Sequence, residues 1–64
     1  MALEHTQQVV LQALRHFAER GIDNPPAVRL AERTGLNVRT VYRALDDLQT
    51  AGSIRRVQRW EIRR

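Results

Sequence analysis

A single glycine, Gly35, separates two amphipathic stretches and dictates how they join. Before it, Ala27, Leu30 and Ala31 fall at i, i+3 and i+4, the spacing of one helix face. After it, Val41, Ala44, Leu45 and Leu48 recur at helical intervals and gather on one side of a winding of about 3.6 residues per turn. Gly35 stops the first helix, because only glycine enters the left-handed conformation past a helix end without a Cβ penalty. Leu36 is expected as a buried plug, and Asn37 as the N-cap of the second helix. The product is helix, tight turn and helix across residues 27–46. Opposite the second apolar stripe stand Arg39 and Arg43, flanked by Thr40, Tyr42, Asp46 and Asp47. A helix buried along one face, with arginines near its N-terminal end on the other, has the form that enters a DNA major groove.

The flanking sequence supplies a third helix and a hairpin. Leu3, Val10, Ala13, Leu14 and Phe17 lie at i, i+7, i+10, i+11 and i+14. They predict a helix over residues 3–20, ended by Gly21. The connector Ile22-Asp23-Asn24-Pro25-Pro26 follows. Asp23 or Asn24 is expected to cap the next helix, with a proline in its first turn, which dates that helix to residues 25–34. Ile22 is expected to pack inward, and a short β-bridge can form nearby. The third helix should run over 38–51, up to Gly52. Beyond it, residues 53–64 carry β-branched and aromatic residues at strand spacing. A three-residue loop, Val57-Gln58-Arg59, would pair Ile54 with Ile62, Arg55 with Glu61 and Arg56 with Trp60. That register gives strands at 54–56 and 60–62 with Ile54, Trp60 and Ile62 on the core face. Arg56 would share Trp60's face and can stack on its ring. The fold class expected is therefore mainly α, three helices with a small β-hairpin, forming one domain over 1–64.

Size and charge narrow the function classes. A chain of 64 residues buries only about 60% of the surface its unfolded form exposes. It has no cysteine to supplement that core by disulfide or thiolate–metal bonds. No secretory leader is visible and no apolar run approaches the roughly 18 residues of a membrane span, so a cytoplasmic location is expected. The formal net charge of +4 is unevenly placed: −1 over residues 1–32 and +5 over residues 33–64. A basic half points to a polyanion. His5 and His16 have no acidic partner at a ligand spacing and are read as solvent-facing. No nucleophile–base pair, phosphate loop or metal cluster is visible, so no enzyme activity, cofactor, metal or small-molecule pocket is expected.

Three helices followed by a basic hairpin resemble a winged helix-turn-helix domain. The stretch PPAVRLAERTGLNVRTVYRALDDLQTAGSIRR is similar to the N-terminal DNA-binding domains of LexA-type repressors. These also run from a Pro-Pro start through Ala-x-x-x-Gly to a hydrophobic stripe and a terminal glycine. The segment TVYRALDDLQTAG is similar to the recognition helix of ferric-uptake-type, GntR and MarR regulators. The resemblance covers about residues 22–64. It implies a third helix that reads the major groove and a wing, residues 53–64, over phosphate or the minor groove. The wing departs from the pattern in being short and lacking a glycine at its tip. The Z-DNA-binding winged domains fit less well. Tyr42 and Asp46 stand where they use Asn and Tyr, and Gln58 and Arg59 stand where they carry prolines.

These features assign roles. Arg39, Thr40 and Arg43 are the expected base contacts: an arginine can bond guanine O6 and N7 together, and a threonine can touch a thymine methyl. Asn37, Tyr42, Arg55, Arg56, Arg59 and Arg63 are the expected phosphate contacts, which fix register without reading sequence. Arg43 can alternatively pair with Asp46 or Asp47 one turn on. Tyr42 should be half-packed, with its hydroxyl on a phosphate. The two aspartates would repel DNA, so the C-terminal half of the helix should lie outside the groove. The partner expected is double-stranded DNA, bound by a small transcriptional regulator of the repressor kind. One domain reads only about four or five base pairs, so a homodimer on an inverted or direct repeat, or tethering to a larger machine, is expected, with exposed apolar residues of the first helix such as Val9 as the self-association surface. The alternative is a winged-helix module in a replication or assembly complex, where Arg39 and Arg43 would meet an acidic protein.

Overall fold

The computed structural model describes residues 4–56 and 60–62, with the side chains of Arg56, Trp60 and Glu61 outside that description. The elements in chain order are α1 (His5–Glu19), α2 (Ala27–Thr34), α3 (Val38–Thr50), β1 (Ile54–Arg56) and β2 (Trp60–Ile62). The chain is thus mainly helical with a small antiparallel hairpin, as its pattern predicts. α1 packs on α2, α3 and β2, and β1 lies against α3. One apolar cluster joins Val10, Leu11, Ala13, Leu14 and Phe17 of α1, Leu30 of α2, Val41, Ala44, Leu45 and Leu48 of α3, and Ile54 of β1. Leu11 was not among the expected core residues. It is covered because α1 contacts three elements and so buries a wider arc than a single stripe.

The turn between α2 and α3 is held by specific bonds. Gly35 takes φ 77°, and its N–H donates to Ala31 O at 2.9 Å, closing α2. The Thr34 hydroxyl donates to Leu30 O at 2.7 Å and accepts from the Leu36 N–H at 3.3 Å, tying helix to turn. No neighbour lies within 4 Å of a Cβ built on Gly35. Gly35→Ala should therefore cost only the left-handed backbone penalty, about 1–2 kcal/mol in chemical denaturation. Asn37 is extended, and its Oδ1 accepts from Thr40 N–H at 2.7 Å, the expected cap of α3. Asn37→Ala should lose about 1 kcal/mol, while Asn37→Ser or Asn37→Asp keeps most of it. Leu36 packs against the core but is only half-buried, not the enclosed plug expected.

Other boundaries differ from expectation for local reasons. α2 starts at Ala27 with Pro26 in the N-cap position, and no side chain caps it. Asn24 and Pro25 each precede a proline, which excludes them from helical geometry, so a helix capped by Asp23 or Asn24 cannot propagate. Pro26 O accepts from the Arg29 and Leu30 N–H groups instead. No bridge or strand forms at residues 22–26. α1 ends in a Schellman arrangement: Gly21 N–H donates to Ala18 O and Ile22 N–H to Phe17 O. That commitment sets Ile22's position and leaves its side chain 41% exposed rather than packed inward. α3 ends the same way, with Gly52 N–H on Gln49 O and Ser53 N–H on Leu48 O. These bonds turn the chain so that Ile54 enters the core, 2% exposed. The hairpin pairs Ile54 with Ile62, Arg55 with Glu61 and Arg56 with Trp60, the register expected from placing Ile54, Trp60 and Ile62 on the core face, with the Trp60 side chain outside the described residues. Ile62 is packed against the core.

Candidate nucleic-acid interface

α3 has one buried and one open side. Val41 and Leu48 are fully enclosed, and Ala44 and Leu45 are nearly so. Arg39, Tyr42, Arg43 and Asp46 are exposed. At about 100° per residue, Arg39 and Arg43 stand about 40° apart, one turn from each other along a single outward strip. Among the described residues, neither arginine makes a hydrogen bond or an ion pair. The alternative pairing of Arg43 with Asp47 is not made. Asp47 turns to α1, where its Oδ2 accepts from Gln7 Nε2 at 3.3 Å.

Two like charges one turn apart, with no counter-ion, cost an isolated helix a few tenths of a kcal/mol. Both guanidinium groups keep their donors for something outside the fold. Their planar fork suits a bidentate acceptor such as a guanine edge or a phosphate.

The flanks of this strip are shaped by other elements. Thr40 is half-buried and borders a depression between α3 and the start of α1, together with Glu4, Thr6, Gln7, Arg43 and Asp47. It stands at the edge of the strip rather than on its crest. Tyr42 lies on the other flank. It is 58% exposed, more open than the half-packed ring expected. With Leu45, Asp46, the Asn24–Pro26 connector and Ala27 it lines an open concavity of about 540 Å³. Asp46 shares the outward strip with Arg39 and Arg43, one turn further from the N-terminus. Asp46→Asn should therefore raise affinity for any polyanion, read as a tighter Kd on nonspecific duplex at low salt.

Asn37 Oδ1 is engaged in the cap, so only its amide N–H₂ is left to face outward. Arg55 is exposed on β1 and takes part in an interaction of its own, so it is not an uncommitted cation. The Arg56 side chain, Arg59 and Arg63 fall outside the described residues, as does the proposed stacking of Arg56 on Trp60.

A second group of cations was not foreseen from the sequence. His16, read as solvent-facing, is half-buried between α1 and α2. Arg20 Nε donates to its Nε2 at 3.1 Å, and Arg33 Nη2 lies 3.4 Å from its Nδ1. The ring meets Phe17 edge-on at 5.6 Å. Desolvation, then the charges of Arg33 and Arg20, hold its pKa below the ordinary 6.5, with Glu19 opposing. The folded form thus binds fewer protons than the unfolded chain just below pH 6.5. Stability should decline as pH falls through that window and level off once folded His16 is also charged. Thermal melts at stepped pH, with His16→Gln as the flat control, check this. The i, i+4 spacing of His16 and Arg20 was readable in the sequence, but the approach of Arg33 from α2 was not.

Among the described residues, no group of three His, Asp or Glu side chains converges to hold a metal ion. Among the same residues, no helix is long and apolar enough to cross a membrane. No curated protein and no solved structure matches the chain. The family model of the helix-turn-helix domain does match, over residues 2–60. With a helix, a left-handed glycine turn and a capped helix at its centre, the chain belongs to the helix-turn-helix domain family.

Proposed function

We propose that this protein is a small winged helix-turn-helix regulator that binds double-stranded DNA sequence-specifically through the outward strip of α3. The observation that carries the reading is the pair Arg39 and Arg43: exposed, one turn apart, and without partners among the described residues. The family match supports DNA as the partner, since helix-turn-helix domains bind DNA through the second helix of the pair. Arg39 and Arg43 contact bases in the major groove. Thr40, at the edge of the strip, touches a thymine methyl. The Asn37 amide and the Tyr42 hydroxyl take phosphates on either flank. Arg55, Arg56, Arg59 and Arg63 of the wing neutralise the backbone or enter the minor groove. Chain 1–64 acts as one unit without a catalytic step.

A reading helix of this length spans only about four or five base pairs, so two copies act together on repeated half-sites. Val9 of α1 is the expected surface for their contact. It is half-buried beside Gln12, Ala13, Arg33 and Thr34. Val28, 55% exposed on α2, is a more open aliphatic side chain.

A salt titration of duplex binding tests the electrostatic part. About five phosphate contacts predict a slope of log K against log salt near −4 to −5. A slope near zero would remove DNA from the reading and leave the arginine pair to an acidic protein surface.

A further inference from the structure

The α1–α2 junction holds a contact that no protonation state of the protein alone can satisfy. Both ring nitrogens of His16 face guanidinium groups, Arg20 Nε at 3.1 Å and Arg33 Nη2 at 3.4 Å. Guanidinium has donors and no acceptor. A neutral imidazole has one acceptor nitrogen and one N–H, so it accepts from one arginine and meets the other donor to donor. The imidazolium accepts from neither. Glu19 is the acid whose charge acts on this ring, and it makes no ion pair with either arginine among the described residues. An oxygen carrying negative charge, set between Arg33 Nη2 and the His16 Nδ1–H, would accept from both and remove the conflict.

We propose that His16, Arg20 and Arg33 form an oxyanion site of the phosphate class, separate from the α3 strip. Arg20 orients the ring through Nε2. Arg33 and Nδ1–H then present converging donors from two different helices. The occupant is either a free phosphorylated molecule or a phosphodiester of bound DNA, and these share the chemistry. The Arg20 bond belongs to the neutral ring; the anion's charge favours the imidazolium, whose second proton, on Nε2, releases Arg20 and leaves Arg33 and Nδ1–H on the anion, so occupancy and His16 protonation rise together as pH falls.

The test follows the imidazole NMR signals of His5 and His16 in the whole protein as a function of pH. Spectra are taken in chloride, in inorganic phosphate at matched ionic strength, and with a duplex. Binding of the duplex is checked separately by mobility shift. Phosphate is expected to raise the His16 midpoint by about one pH unit while His5 stays put. Arg33→Gln should abolish the response and Arg15→Gln should keep it. A shift with duplex but not with phosphate assigns the site to the DNA backbone.

The proposal is overturned if both histidines move alike, if neither probe moves His16, or if Arg33→Gln responds like the unaltered chain. The phosphate arm is independent of the DNA reading, whereas the duplex arm rests on it. A duplex that fails to bind at all strikes the DNA reading and leaves phosphate to decide this site.

Discussion

Replacing Arg39 and Arg43 together by alanine is expected to weaken duplex binding on the order of a hundredfold or more while leaving the fold at least as stable. Each bidentate arginine–guanine contact is worth about 1–3 kcal/mol of discrimination, and about 1.4 kcal/mol is a tenfold change in Kd. The stability side has the opposite sign. Both side chains are exposed and unpaired among the described residues, so nothing within the fold loses a partner. The substitution removes a like-charge pair one turn apart and introduces the strongest helix former. Fluorescence anisotropy and thermal melting on the same preparation check the two arms. A double variant that binds as well as the parent would mean the strip is not the contact surface. One that unfolds would mean the arginines serve the fold.

Leu48→Ala is expected to bring the protein close to global unfolding. Leu48 is fully enclosed where α3 meets the shared core. Truncating such a leucine costs about 2–5 kcal/mol through lost transfer energy and an unfilled cavity. A 64-residue chain commands only about 3–10 kcal/mol in total. Circular dichroism should show a large fall in Tm or a weak, broad transition at room temperature. Val28→Ala, at a site left 55% exposed, should change Tm little. If Leu48→Ala melts like Val28→Ala, the single-cluster account of the core is wrong.

The parts of this fold that could be read from residues are those governed by one neighbour and one period. Val41, Ala44, Leu45 and Leu48 form a single stripe against a single core, and all are buried. The hairpin register followed from requiring Ile54, Trp60 and Ile62 to share a face. Asn37 could be named as a cap because capping depends on three residues of backbone.

What the pattern hid depends on several elements at once. Leu11 is covered only because α1 has neighbours on three sides. Tyr42 is open because the connector beside it leaves a concavity rather than a wall. Ile22 is held outward by the backbone bond that closes α1. The start of α2 was misplaced because two consecutive pre-proline positions outweigh the capping preference of Asp23 and Asn24. For the candidate interface, the arginines could be named from the sequence. Their lack of internal partners, and Asp47's turn towards Gln7, required the fold.

Selection of bound duplexes from a random pool, run in parallel on the parent protein and on Arg43→Ala, addresses the reading role of α3 most directly. The account predicts that the parent enriches a short sequence containing guanine, and that Arg43→Ala loses its preference at one base position and keeps the others. No enriched sequence from the parent, or the same sequence from both proteins, would contradict it.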